Sequence, residues 1–211
     1  MSTVYEISRE NGSYTYADYL EWETDKRYEI IDGTAYMMSS PTVSHQAISR
    51  ELLLQLGNFL KGKPCQVFAA PLDVRLFPKD DLSDHTVVQP DLLVVCDGSK
   101  LADGKSCRGA PDMVIEIISP SNTSPALLLK FNQYLMAGVR EYWLIAPETK
   151  EIQAHILGKG EKMTHYISTV YHGVETLDVS ILPGLRIDLS SLWGADVSPA
   201  VPGATENRQE S

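Results

Sequence analysis

The sequence predicts a mixed α/β (α+β) fold, and three of its features support that class. Apolar runs such as "PDLLVV" and "PDMVIEIIS" are typical of strands that are buried on both faces of a sheet. Longer segments repeat their apolar residues at helical spacing. The order of "VIEIIS", "LLLKFNQYL" and "EYWLIAP" is strand, helix, strand, which indicates a mixed sheet with flanking helices and a crossover helix.

Length and composition fit one globular domain. The chain has 211 residues, of which 43% are hydrophobic and 22% charged, and we predict a domain over residues 1–195. Residues 196–211 are rich in Ser, Pro, Ala and Glu, which predicts a disordered tail. The net charge of -10 argues against a broad nucleic-acid surface but is compatible with a small basic patch.

The first predicted elements are a short helix and a hairpin. "YTYADYLEWE" predicts the helix, with Thr15 as its N-cap. In "RYEIIDGTAYMM", two strand-like runs meet at Asp32-Gly33, a pair of residues that favours a tight turn between antiparallel strands.

A long helix and two strands follow. "SPTVSHQAISRELLLQLGNFLKG" has apolar residues at helical spacing and carries His45 in its first turns. "CQVFAAPLDVRLF" and "VVQPDLLVVCD" each predict one strand, and Asp91 stands at the head of the apolar part of the second.

The remaining elements are the crossover helix and more antiparallel structure. "SPALLLKFNQYLMAGV" predicts a helix that carries Lys130. "EIQAHIL" and "KMTHYIS" predict an extra antiparallel hairpin, and "TLDVSILPGLRIDLSSLW" closes the fold.

The cysteines and the N-terminus predict a cytoplasmic protein. Cys65, Cys96 and Cys107 are odd in number and far apart, so we expect reduced thiols. The first residues lack the basic start and apolar core of a signal peptide. No apolar run approaches the roughly 18 residues of a membrane span, and the histidines lack the spacing of a zinc site.

Glu116 interrupts the apolar run "MVIEIIS", where an unpartnered carboxylate would cost on the order of several kcal/mol or take up a proton. Asp91 stands at a corresponding place in "PDLLVV". Because neighbouring strands lie about 4.8 Å apart, two carboxylates on one face can share a cation such as Mg²⁺. Lys130 lies on the helix that folds back over the strand of Glu116, so its ammonium can reach the same place.

A structural explanation of these residues stays open. Asp91 follows Pro90 and can be a turn residue at the start of a strand. Glu116 can be the partner of a buried arginine such as Arg140. Lys130 can lie at the flank of its helix, with its stem on apolar surface and its ammonium in water.

The order Pro90-Asp91, Glu116-Ile117-Ile118 and Lys130 resembles the PD-(D/E)xK pattern of nucleases with the restriction-endonuclease-like fold. In the standard pattern the lysine stands two residues after the glutamate, where this chain has Ile118, so the lysine is shifted to the following helix. More closely, the chain resembles the Uma family of restriction-endonuclease-like proteins from about Tyr14 to Trp193. The matching stretches are "RYEIIDG", "SPTVSHQ", "VVQPDLLVV", "PDMVIEIISPSN", "LKFNQYLMAGVREYWLIAP" and "LPGLRIDLSSLW".

The resemblance implies a restriction-endonuclease-like mixed sheet and a metal-dependent endonuclease site. Asp91, Glu116 and the backbone carbonyl of Ile117 would hold Mg²⁺ or Mn²⁺. Lys130 would orient or activate the attacking water, or stabilise developing charge on the phosphate. The implied substrate is nucleic acid, DNA in the first place, and the resemblance is compatible with a homodimer.

Three further positions bear on the implied activity. Glu29 and His45 match accessory family positions that border the site; taken alone, they are a strand-surface charge and an N-terminal helix residue. Ala126 stands where the family commonly has an aspartate, and "TSPALLLK" lacks the family's arginines. The alternative function is therefore a nuclease-fold module of weak or no catalytic activity that binds protein or nucleic acid.

Overall fold

Two six-stranded sheets and a two-stranded ribbon account for the strands that the structure describes. The structure is a computed structural model that describes residues 6–7, 13–118, 124–158 and 164–193. The predicted disordered tail, residues 196–211, lies outside the described residues. The helices are α1 (Tyr16–Leu20), α2 (Val43–Leu60), α3 (Ser124–Ala137) and α4 (Ser190–Trp193). The strands are β1 (Glu6–Ile7), β2 (Tyr28–Ile31), β3 (Thr34–Met37), β4 (Gln66–Ala69), β5 (Asp73–Arg75), β6 (Val87–Val88), β7 (Leu92–Val95), β8 (Ser106–Arg108), β9 (Met113–Ile117), β10 (Glu141–Ala146), β11 (Glu151–Gly158), β12 (His165–His172), β13 (Thr176–Asp178) and β14 (Arg186–Asp188).

The first sheet has the order β1-β3-β2-β6-β5-β8. Only β5 and β8 pair in parallel, and the other neighbours are antiparallel. The strand β8 was not predicted, because its polar residues between loops give no apolar run.

The second sheet has the order β12-β11-β10-β9-β7-β4. β9 and β10 are parallel and are joined by α3, and the other pairs are antiparallel. This arrangement confirms the predicted mixed sheet with a crossover helix, and β11 and β12 form the predicted hairpin.

Local sequence signals explain the first elements. The Thr15 side chain accepts a hydrogen bond from the backbone N–H of Asp18, and the Asp18 carboxylate accepts one from the N–H of Thr15, which is a capping box at the start of α1. Asp32 and Gly33 have φ angles of 49° and 78°, as a tight turn between β2 and β3 requires. Both predictions are confirmed.

Two apolar clusters hold the layers together. One lies between α2 and the second sheet and includes Leu52 and Ile115. The other lies between the two sheets and α3, and it includes Val88 of β6, Val114 of β9 and Tyr134 of α3. Because successive strand residues point to opposite faces, β9 contributes to both clusters.

Two predicted strands are each divided between the sheets. "CQVFAAPLDVRLF" forms β4 in the second sheet and β5 in the first, and "VVQPDLLVVCD" forms β6 in the first and β7 in the second. The two links contain Pro71 and Pro90, which have no N–H for a ladder. A run that is apolar on both sides of such a link does not reveal the change of sheet.

Cys65 and Cys96 form a disulfide, so the prediction of reduced thiols is wrong for this pair. Gln66 of β4 pairs with Val95 of β7, and the next residue outward on each strand is a cysteine. This proximity comes from antiparallel register and cannot be seen in the spacing of the cysteines. Cys107 is a free, buried thiol.

No helix within the described residues is long and apolar enough to cross a membrane.

Candidate functional site

The candidate site lies where the two sheets meet α3. Glu29 comes from β2 of the first sheet, Glu116 from β9 of the second, and Lys130 from α3. The Lys130 Nζ lies 2.6 Å from Oε1 of Glu116 and 2.7 Å from Oε1 of Glu29. All three residues are buried, with 6–7% of their surface exposed, so one ammonium joins carboxylates from both sheets inside the protein.

Tyr134 is a second donor to Glu116. Its Oη donates to Oε1 of Glu116 at 2.7 Å. Tyr134 follows Lys130 by one helical turn, so both side chains face the same strand. The hydrogen bonds that the structure describes for this carboxylate all end on Oε1, so Oε2 is the oxygen left for another partner. Sequence reasoning missed Tyr134, because an aromatic residue at helical spacing looks like an ordinary core residue.

Asp91 lies beside Glu116 in the second sheet. Leu92 pairs with Ile115, so Asp91 and Glu116 are the next opposed positions and share a face of the sheet. Oδ2 of Asp91 accepts the backbone N–H of Ile117 at 2.7 Å. The structure therefore brings together Asp91, Glu116, Ile117 and, through Glu116, Lys130.

His45 contacts the site through Asp91. Its Nε2 lies 3.1 Å from Oδ2 of Asp91, and the ring is buried near the start of α2. Thr42 caps that helix by accepting the backbone N–H of His45, which fixes the position of the residue. Nδ1 of His45 is buried and has no hydrogen-bond partner among the described residues.

A polar network holds the link between β6 and β7 that carries Asp91. The backbone N–H of Gln89 donates to Oε1 of Glu29 at 2.8 Å. The Gln89 side chain accepts from Arg27 Nη2 at 2.7 Å and donates to Asp73 Oδ1 at 2.8 Å. The crossing between the sheets is therefore fixed to the same glutamate that binds Lys130.

The charges of the site do not balance. Burial raises the pKa of Glu116 to about 7; the Lys130 ammonium opposes this shift, while Asp91 and Glu29 add to it. Burial alone would lower the pKa of Lys130, but the Glu116 and Glu29 carboxylates raise it above its ordinary value. Glu29 and Glu116 share one permanent cation and Asp91 lies beside Glu116, which leaves an excess of negative charge when all three carboxylates are ionised.

The available oxygen atoms suit an ion that keeps much of its water. No group of three or more His, Cys, Asp or Glu side chains within the described ranges could hold a metal ion. Asp91 and Glu116 can contribute two carboxylates, and Mg²⁺ commonly binds one or two carboxylates and retains several waters. The residues fit such an ion and do not fit a closed zinc site.

The structural explanation is wrong in two of its details. Arg140 binds Asp112 at 3.0 Å and is not the partner of Glu116. Lys130 is buried in an ion pair and does not extend to water. A buried ion pair with Lys130 nevertheless explains why Glu116 is tolerated in an apolar strand without any metal. Ala126, at the position of the missing acidic residue, is half-buried on α3.

Comparisons with known proteins identify the family and the fold of the chain. Residues 16–190 match the model of the Uma2 family, described as "Putative restriction endonuclease". A crystal structure described as a "putative nuclease belonging to DUF820" from Anabaena variabilis superposes with a TM-score of 0.67, at 20% identity, covering 85% of this chain and 97% of that one. Among curated proteins, no match reaches significance. The restriction-endonuclease-like fold that the sequence predicts is thereby confirmed, and the chain belongs to the Uma2 family.

Proposed function

We propose that this protein is a nuclease that hydrolyses nucleic-acid phosphodiesters with Mg²⁺ or Mn²⁺ bound at Asp91 and Glu116. The proposal extends the nuclease-like fold and the family membership to a specific site and reaction. One observation carries it: Lys130 bridges the carboxylates of Glu29 and Glu116, and the Asp91 carboxylate lies next to Glu116 with no basic side chain other than His45 shown to contact it among the described residues.

The excess negative charge supports a divalent cation. With all three carboxylates ionised, Lys130 neutralises one of them, so about two negative charges remain. Unpaired charge inside a protein is costly, so these charges favour a further cation. A divalent ion would balance it. Its donors would be Asp91, Glu116 through Oε2, and the carbonyl of Ile117.

The residues would divide the chemistry as follows. When bound, the metal ion would polarise the phosphate and lower the pKa of its bound water. Lys130 has a raised pKa and stays protonated, so it is a donor that stabilises charge rather than a base. Two of its three N–H groups are engaged by Glu29 and Glu116, and the third can donate to a phosphate oxygen. His45 would orient Asp91.

A specific observation also favours the non-catalytic alternative. Glu116 is already satisfied by Lys130 and Tyr134, so the fold needs no metal to tolerate it. The arginines and the acidic residue expected near Lys130 are missing in "TSPALLLK". Without those arginines, the electrostatic attraction of this surface for a phosphate backbone is weaker. Such a protein would bind a partner with the same surface and leave it intact.

Assays of cleavage and of metal binding distinguish the nuclease from the non-catalytic binding module. Supercoiled plasmid DNA and, in parallel, a structured RNA would be incubated with the protein in Mg²⁺, Mn²⁺ or a chelator. Calorimetry would measure Mn²⁺ binding. We expect metal-dependent nicking that Glu116→Gln reduces by at least about a hundredfold, because electrostatic groups of an active site contribute on that scale.

Glu141→Gln is the matched control. Glu141 is also buried in the second sheet, but it accepts from Trp143 Nε1 at 2.8 Å and from the N–H of Ile181 at 2.9 Å, away from Lys130. Folded Glu141→Gln protein should bind Mn²⁺ and cut like the wild type. If the wild type neither binds Mn²⁺ nor cuts either nucleic acid, the binding-module alternative is favoured.

A further inference from the structure

A pocket of about 280 Å³ lies outside the proposed metal site. None of its side chains contributes to the chemistry proposed above. The pocket lies just below the usual range for ligand sites, which is about 300–1,000 Å³, so it suits one small head group. Its lining residues are Tyr14, Trp22, Glu23, Thr24 and Tyr28.

The Trp22 ring stands nearly at right angles to each of the other two aromatic rings of the pocket. The Trp22 ring is perpendicular to Tyr14, with centroids 5.1 Å apart, and lies at 77° to Tyr28 at 5.3 Å. Tyr19 packs against Trp22 at 76° and supports it. A flat nucleobase is best held between parallel rings, whereas perpendicular rings form a corner that suits a rounded group.

The charge around the pocket favours a cation. Glu23 is a lining residue and is exposed, and Glu21 and Asp25 flank it in the sequence. Two cations follow, Lys26 and Arg27, and Arg27 is bound to the Gln89 side chain. Three acidic residues thus stand against two cations in the stretch from 21 to 27, and the whole chain carries a net charge of -10. A phosphate-bearing ligand would be repelled here, while a cation gains from both the carboxylate and the ring faces.

We propose that the pocket formed by Tyr14, Trp22, Glu23 and Tyr28 binds an alkylated ammonium group. The chemistry is that of an aromatic cage: the ring faces attract the cation, the apolar corner accepts its methyl groups, and Glu23 supplies the opposite charge. The group can belong to a free small molecule such as choline or to a trimethylated lysine side chain. This binding is independent of the proposed nuclease activity.

Choline and its uncharged isostere test the role of charge. Each would be titrated into the full chain while the indole N–H resonance of Trp22, assigned with Trp22→Phe, is followed by NMR. Choline should bind more tightly than 3,3-dimethylbutan-1-ol by roughly 2- to 30-fold, the range that cation–π attraction supports. N-acetyl trimethyllysine amide, titrated in the same way, would distinguish a protein side chain from a free ligand as the preferred source.

Three substitutions localise the binding. Glu23→Gln should weaken choline binding several-fold. Glu21→Gln is the matched control, since this residue caps α1 and does not line the pocket. Trp22→Leu should abolish binding. If that variant does not fold, the comparison of Glu23→Gln with Glu21→Gln and that of choline with its uncharged isostere still test the proposal.

The possible results are distinct. A preference for choline or trimethyllysine over the isostere, reduced by Glu23→Gln alone, supports the proposal. Equal binding of choline and the isostere would show a merely apolar pocket. Tighter binding of adenosine than of choline would show a base-stacking site. Either of these results, or no shift with any probe, overturns the proposal.

Discussion

Two buried ion pairs of this protein differ in how their charges are balanced. Arg75 and Asp84 form a one-to-one pair, with side chains 2% and 0% exposed. Asp84 also accepts the backbone N–H of Lys79, and Arg75 donates to the carbonyl of Lys79 at 2.6 Å and stacks over the Tyr16 ring. Lys130, in contrast, is shared by Glu29 and Glu116, and Asp91 lies beside them.

The difference separates a structural pair from a candidate site. The Arg75 pair has no excess charge. Its hydrogen bonds hold the loop before β6, and its guanidinium stacks on Tyr16 of α1. The Lys130 cluster has more carboxylates than cations. Burial raises the pKa of Glu116, and the neighbouring Asp91 and Glu29 charges add to that shift. Removing either partner of a balanced pair should lower the free energy of unfolding. Removing one negative charge from an unbalanced cluster should raise it.

The largest expected effect comes from breaking the balanced pair. Asp84→Asn leaves the buried guanidinium of Arg75 without a counter-charge, and we expect a loss of about 3–5 kcal/mol in the free energy of unfolding. Urea denaturation measures it. Asp80→Asn is the control, because Asp80 is fully exposed where it binds Arg108 and its removal should change nothing measurable. A small loss in Asp84→Asn would mean that the pair is not structural.

Removing the one cation of the unbalanced cluster should cost nearly as much. Lys130→Met leaves three carboxylates without an ammonium, and we expect a loss of about 3 kcal/mol near pH 8. Low pH or added Mn²⁺ should restore part of it, since both reduce the repulsion. Lys100→Met is the control, because Lys100 donates to the carbonyl of Ala110 and makes no ion pair among the described residues. No recovery with Mn²⁺ would argue against a cation site.

Removing one negative charge from the cluster should raise the stability of the fold at neutral and alkaline pH. The folded-state pKa of Glu116, about 7, lies above its ordinary value of 4.5. Between these values the folded state holds a proton that the unfolded state has lost, so this group's contribution to stability is complete below about pH 4.5 and is lost as the pH rises to about 7. The loss is at most about 1.4 kcal/mol per pH unit.

Glu116→Gln removes this titration and keeps the shape of the side chain. The stability difference between wild type and variant, measured without metal, should therefore move in favour of the variant by up to about 3 kcal/mol between pH 5 and pH 8. Lys130 keeps Glu29 as its partner in the variant. A loss of about 3–5 kcal/mol in Glu116→Gln at pH 8 would instead identify a structural pair like that of Arg75.

Two buried tyrosines give a smaller, matched comparison. Tyr134→Phe removes the donor to Glu116 and should cost about 1.5–2 kcal/mol at pH 8, the value of a hydrogen bond to a charged group. Tyr142 packs against Tyr134, but its hydroxyl is buried and has no hydrogen-bond partner among the described residues. Tyr142→Phe should therefore be neutral or slightly stabilising. Equal losses of stability in the two variants would show that the Tyr134 hydroxyl has no special role at the site.

The smallest effect is expected from the C-terminal residues. Deletion of residues 196–211 should leave the melting temperature unchanged, because the segment has too little apolar content to offset the entropy of ordering. Both ion pairs should then respond to substitution as they do in the full chain. A clear drop in melting temperature would show that the tail packs on the domain.

Local patterns in the sequence predicted the helices, strands and turns better than they predicted which distant segments pair with one another. The turn at Asp32-Gly33, α2 and the β9-α3-β10 unit follow from residues close in the chain. The division of "VVQPDLLVV" between two sheets and the Cys65–Cys96 disulfide depend on long-range register, which no local pattern contains.

The candidate site was predictable where a residue broke its local pattern. Glu116 interrupts an apolar strand, Asp91 stands at the corresponding place in another strand, and Lys130 lies on the helix that follows Glu116. The family resemblance added Glu29 and His45. Tyr134 fits its helix as a core residue would, and nothing in the sequence marks its hydroxyl as a donor to Glu116. That Glu29 and Glu116 share one ammonium is a property of the packed sheets alone.

A manganese-soaked crystal tests the central claim most directly. Anomalous scattering should show one ion between the carboxylates of Asp91 and Glu116, at about 2.0–2.6 Å from their oxygens, with Lys130 still bound to Glu29. The account would be contradicted by the absence of a peak at saturating Mn²⁺. Asp91 and Glu116 carboxylates more than about 8 Å apart would contradict it equally, because one ion could not then bind both.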